Sequence, residues 1–144
     1  LAAAGLDRLD MALPYAHIIP IEIMLPAVAQ GAIGLQCRTN DTQIQELLLR
    51  VSDETTSLCI QAERAMLRAL DGSCRTPIAG YATLSNRTIT LEGMLADEEG
   101  TVLVQEKLSA PVEDVVLLGQ ELAEYLKMRL ATSQMPLLSE RGII

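Results

Sequence analysis

The sequence predicts an α+β domain from residue 52 to about residue 130, and three observations predict it. A long amphipathic helix comes first, with an apolar stripe at Leu58, Ala62, Ala65, Met66 and Ala69, spaced i, i+4, i+7, i+8 and i+11. Three strand-like runs follow, joined by short polar connections of the hairpin kind. A second amphipathic helix closes the pattern and offers Val115, Leu118, Leu122 and Leu126 to the sheet. Together these make a three-stranded antiparallel meander with one face covered by helices.

From the amino end, Gly5 to Leu13 reads as a short helix with Leu6, Leu9 and Leu13 on one face, stopped by Pro14. His17 lies in an apolar segment, where a satisfied structural histidine is the expectation. Pro20 and Pro26 bracket an extended crossing, Ile21 to Leu25. Residues 27–38 read as a loop feeding a buried strand, with Gly31 and Gly34 allowing close approach of a backbone or ligand. Gln30 beside Gly31 supports two readings, a ligand contact or a hinge whose glutamine caps a backbone group. Thr39 to Thr42 is a turn and N-cap, and the helix from Gln43 to Val51 sets Ile44, Leu47 and Leu48 on one side.

Ser52 to Thr56 starts the next helix, with acidic residues at its positive end, and that helix runs to about Leu70. Cys59 borders its apolar stripe as core filling. Glu63, Arg64 and Arg68 lie off the stripe and read as a solvated face. Ile78–Leu84, Thr88–Leu95 and Thr101–Leu108 are the strands, and Ser109 to Val112 opens the last helix with Pro111 near its first turn. From Ala131 onward Ser, Gln and Pro break the pattern, so a poorly ordered tail is expected. Leu1 to Val51 has no comparable pattern and reads as pieces completing sheets whose other strands are absent.

Composition narrows the function classes. Hydrophobic residues make up 49% with no Trp or Phe, so the core must be aliphatic. No apolar run approaches the ~20 residues of a membrane span. A net charge of −8 argues against nucleic acid or an anionic membrane as partner. Nine Arg stand against two Lys, a bias toward bidentate carboxylate pairing. Three cysteines at irregular spacing and one His exclude a disulfide framework and a zinc site, and fit a reducing cytoplasm. Leu1 to Gly5 lacks an initiator Met and a signal-peptide flank, and reads as the middle of a protein.

The segment Leu70-Asp-Gly-Ser-Cys-Arg-Thr-Pro-Ile-Ala-Gly-Tyr81 connects the first long helix to the first strand. Gly72 suits a left-handed helix end and Pro77 blocks helical continuation, so Cys74 belongs on a short loop. Read alone, Cys74 is a small buried hydrophobe. A helix C-terminus disfavours its thiolate and Arg75 favours it, so no strongly activated thiol is expected.

Asp71 to Gly80, together with Leu25-Pro-Ala-Val-Ala-Gln-Gly-Ala-Ile-Gly34 and Ala62-Glu-Arg-Ala65, closely resembles the porphobilinogen deaminase (hydroxymethylbilane synthase) family over Leu1 to Arg129. The resemblance implies that Cys74 carries a dipyrromethane cofactor through a thioether. It implies that residues 1–25 end a second α/β domain of the periplasmic-binding-protein-like kind. Residues 26–51 would be the hinge and returning strand-helix of a first such domain, and 52–144 the C-terminal α+β domain. Leu1, Ala2, Arg8, Val28, Gln30, Gly31, Arg38 and Arg64 match positions that bind cofactor or substrate, although for Arg64 a structural salt bridge stands as an equal reading.

The implied activity is ordered polymerisation of four porphobilinogens, with loss of ammonia, into hydroxymethylbilane. The implied partners are porphobilinogen, the growing polypyrrole chain and the amino-terminal part of the same enzyme. The family's catalytic aspartate falls ahead of Leu1, so no catalytic residue is expected here. The whole enzyme is expected to be a monomer, and the piece alone to be inactive and to self-associate. A non-catalytic interaction module is the alternative. A cysteine hydrolase is disfavoured because His17 has no visible orienting partner.

Overall fold

Where two of the helices begin is decided by an aspartate. The Asp41 side chain accepts from the Ile44 amide (3.3 Å) and Asp53 from the Thr56 amide (2.7 Å), each capping an orphan donor of a first turn. The structure is a computed structural model that describes residues 3–11, 13–71 and 77–134. Its elements are α1 (Ala3–Arg8), α2 (Thr42–Val51), α3 (Glu54–Ala69), β1 (Ile78–Ser85), β2 (Thr88–Ala96), β3 (Leu103–Pro111) and α4 (Val115–Gln134), with a 3₁₀ turn at Val112–Asp114 ahead of α4.

The three strands pair antiparallel in the order β1-β2-β3, as the sequence predicts. Period-two patterning makes one face apolar: Ile89, Leu91, Gly93 and Leu95 of β2 are all buried beneath α3 and α4. Gly80 and Gly93 face each other across the β1–β2 pair. Two missing side chains open a hole in that face, and Met66 of α3 fills it. A Cβ on Gly80 would stand 2.5 Å from Met66 Cε, and one on Gly93 2.5 Å from its Sδ. Gly119 does the same for helix packing. Its bare Cα lets α4 lie against Ala62, Ala65 and the Met66 backbone of α3.

The opposite face is polar. Glu92 there accepts from Lys107 Nζ (2.5 Å) and Gln105 Nε2 (2.7 Å), and the Lys107 ammonium holds its carboxyl below the usual range. Thr90 and Ser109 share a 2.8 Å hydroxyl contact, and Arg87 pairs with Glu113.

Several local expectations change. α1 ends at Arg8 rather than Leu13, because Asp10 turns left-handed (φ 51°). Ile21 to Ile23 is a turn closed by Pro20 rather than an extended crossing. Residues 32–38 form no strand, having no partner among the described residues, and Ile33 is 90% exposed. His17 is exposed, not a core histidine. β3 carries on through Ser109 to Pro111, where the missing amide of Pro111 falls at the strand's last position, so the final helix starts later than its proline suggests. At the end of α3 it is Asp71 that turns left-handed (φ 53°), donating its amide to Arg68. The expectations for Gly72 and for the tail beyond Gln134 lie outside the described residues.

Candidate functional site

Helix α3 is the element on which the site residues converge. Its stripe of Cys59, Ala62, Ala65 and Met66 is buried, which fixes its roll against the sheet. One residue off that stripe is buried as well. Glu63 is 4% exposed, whereas the sequence pattern puts it on a solvated face. The physical reason is a pair of backbone donors: Glu63 Oε2 accepts from the Ala29 amide (2.8 Å) and Oε1 from the Ala82 amide (2.9 Å). Burial raises the Glu63 carboxyl above the usual glutamate range, and the two amide bonds pull the other way.

Those bonds bring residues 26–32 onto the outer edge of β1. Pro26 O accepts from the Gly80 amide (3.0 Å), beside the Ala82 bond. The segment then makes two consecutive turns, with the Gln30 amide donating to Ala27 O (3.0 Å) and the Ala32 amide to Ala29 O (3.2 Å). Ala29 (φ 60°) and Gly31 (φ 83°) both occupy the left-handed region, which costs alanine and not glycine. Val28 is half-buried against the core, and Gln30 and Gly31 are exposed at the tip.

Beyond the tip a cleft opens between residues 31–35, α2 and α3. Gly31, Arg64 and Arg68 line it, with Gln61 and Gln120 nearby and Leu48, Leu49 and Ile60 as apolar wall. Arg64 and Arg68 are four apart on one helix face, so both guanidinium groups serve the same side. The site residues therefore divide. Gly31 and Arg64 line one cleft beside α3, Val28 packs on the core next to Gly80, and Gln30 is exposed at the turn between them. Arg38 is 89% exposed in a separate hollow formed by residues 36–44 and binds Asp41 Oδ2 (3.0 Å). Arg8 closes α1 on the surface. Leu1, Ala2 and Cys74 lie outside the described residues, although Cys74 belongs to the stretch that links α3 to β1.

What this arrangement can do is hold anions. Two arginines beside a glycine turn suit a ligand with several carboxylates, each of which needs a fork when it leaves water. A dipyrromethane bears two carboxylates per ring, four in all, and Arg64 and Arg68 could fork two of them. Among the described residues no cluster of His, Cys, Asp and Glu could hold a metal ion, and no helix is long and apolar enough to cross a membrane. Glu63 and Arg68 are what sequence reasoning passed over. A carboxylate set between the stripe residues Ala62 and Ala65 was the available signal for Glu63.

Comparison with known proteins points the same way. The family model described as porphobilinogen deaminase, C-terminal domain, matches residues 57–128, and the one described as porphobilinogen deaminase, dipyromethane cofactor binding domain, matches residues 1–46. A curated porphobilinogen deaminase of Syntrophotalea carbinolica is 43% identical over 129 residues, covering 90% of this chain and 41% of the relative. That of Synechococcus elongatus is 45% identical over 127 residues, 88% of this chain and 40% of the relative. The chloroplastic porphobilinogen deaminase of Pisum sativum is 46% identical over 132 residues, 90% of this chain and 36% of the relative. The chain thus spans about two-fifths of the length of the relatives it matches.

Proposed function

Because the chain belongs to the porphobilinogen deaminase family, we propose that it is the cofactor-bearing part of an enzyme that condenses four porphobilinogens into hydroxymethylbilane. The observation that carries this reading is the joining of two segments. The turn with Val28, Gln30 and Gly31 is hydrogen-bonded to β1, the strand that the Cys74 stretch leads into. A group tethered at Cys74 and a ligand held by the turn would share one rigid support.

The division of labour follows from residue chemistry. The Cys74 sulfur anchors a dipyrromethane as a thioether. That group supplies a nucleophilic pyrrole α-carbon on which the chain grows, each porphobilinogen losing ammonia. Arg64 would neutralise carboxylates at the cleft beside Gly31, and Arg8 and Arg38 those of rings further along. Gly31 keeps its turn free of a Cβ where a planar pyrrole would lie. No residue of this chain takes the catalytic proton, a role that belongs to an aspartate elsewhere in a protein of the family's length.

Several finer readings are part of the same proposal. Residues 1–25 and 26–51 belong to two α/β domains, and their apolar side chains, exposed at Leu9, Tyr15, Ile18, Ile23, Ile33 and Leu49, pack on the remainder of the enzyme. The whole enzyme is a monomer in a reducing compartment, the cytoplasm. Intact-mass analysis of a protein of the family's length carrying this sequence tests the central point. The expected result is an adduct of two pyrrole rings that maps to Cys74 and disappears in Cys74→Ser. An unmodified Cys74 thiol in active enzyme would overturn the reading.

A further inference from the structure

A buried carboxylate that the proposed chemistry does not use calls for its own explanation. Glu63 has given up water for two backbone amides that lie 53 positions apart in the chain, Ala29 and Ala82. Only a side chain with two acceptor oxygens satisfies both donors. A glutamine would aim an amide N–H at one of them. An alanine would leave the buried Ala82 amide and the part-buried Ala29 amide without this partner.

The two bonds have different effects. Ala82 belongs to β1, the edge strand of the sheet, and its outward amide would otherwise face no acceptor. Ala29 is held at φ 60°, a conformation an alanine does not keep without help. The carboxylate thus stabilises the one strained residue between Val28 and Gln30, and it does so from the helix that also carries Arg64.

We propose that Glu63 is a positioning residue for the polypyrrole site: it locks the left-handed turn at Ala29 to β1, and so fixes Gln30 and Gly31 relative to Arg64 and to the strand entered from Cys74. This rests on the function proposed above for those residues. Loosening the turn should lower the fraction of protein with a formed subsite and weaken substrate binding in proportion, with less effect on the chemical step. A purely structural staple would lower stability and leave the binding constant of the folded enzyme alone.

The test uses a protein of the family's length that carries this sequence, with KM and kcat for porphobilinogen, the Cys74 adduct by intact mass, and thermal melting read on each variant. Glu63→Gln is expected to raise KM about tenfold with kcat changed by less than about threefold, in the range for residues that orient a site from behind. Adding Ala29→Gly to Glu63→Gln should recover most of that KM, since glycine adopts φ 60° without a clasp. Ala29→Val keeps Glu63 but resists the left-handed turn, and should raise KM similarly even if the Gln variant does not fold. A wild-type KM in either Glu63→Gln or Ala29→Val, or failure of Ala29→Gly to rescue, overturns the positioning role. Wild-type protein with neither adduct nor turnover would instead sink the functional reading, and this inference with it.

Discussion

Replacing Gly119 with alanine sets two effects of opposite sign against each other. Gly119 lies inside α4, where alanine is favoured over glycine by about 1 kcal/mol. Against this, the new Cβ would overlap Ala62 O and approach Ala65 Cβ and the Met66 amide nitrogen to 2.7 Å each. Two of the three atoms are α3 backbone, which cannot swing away as a side chain can. The helices must move apart along their whole contact, a kind of overpacking that costs about 1–3 kcal/mol, with the upper end expected here. The net effect is a loss of about 1–2 kcal/mol. For a domain of this size each kcal/mol lowers the melting temperature by about 4–8 °C. Thermal unfolding followed by circular dichroism reads this directly. Combining Gly119→Ala with Ala65→Gly removes only the Cβ clash, leaves both backbone contacts and costs α3 about 1 kcal/mol of helix propensity, so no recovery is expected. A Gly119→Ala chain that melts at or above the parent temperature would refute the close helix contact.

Three further outcomes follow from the same geometry. Met66→Ala, which empties the hole between Gly80 and Gly93, should cost about 2–5 kcal/mol in denaturant unfolding. Burial raises the Glu63 pKa in the folded state, so the native chain keeps that proton to higher pH than the unfolded chain. Unfolding free energy should therefore fall as pH rises from the unfolded glutamate value, about 4.3, through the native one, and Glu63→Gln should remove that slope. Asp53, Glu92, Asp97 and Glu113 are all shifted down, so they lose stabilisation as pH falls and act in the more acidic window. The 144-residue chain by itself should self-associate in light scattering through the apolar surface of residues 3–51 and show no turnover of porphobilinogen, and a clean monomer would contradict the first expectation.

The legibility of the sequence followed how much each element depends on its neighbours in the chain. The stripe from Leu58 to Ala69 and the alternation in Thr88 to Ala96 are local patterns, and both appear in the structure where the residues put them. Glu63 escaped because its partners are main-chain amides, which leave no mark in a sequence of side chains. The segment after Gly31 has strand composition without a strand, because pairing needs an acceptor ladder that none of the described residues supplies. At the site, the glycine turn and Arg64 were visible as motifs. That they meet on α3 was not, since it depends on a fold-back of more than thirty residues from Ala29 to Glu63.

Pro26 O and the Glu63 carboxylate occupy the outward amides of Gly80 and Ala82. Sheets are vulnerable at such borders, where bare amides invite a foreign strand to dock. Here half of the guard, Pro26, comes from a region far upstream in the chain, and the other half, Glu63, from the helix just before the strand. Proteolysis between Gly31 and Thr42 would let the Pro26 half of the guard leave, and the Gly80 amide would then stand open to a foreign strand.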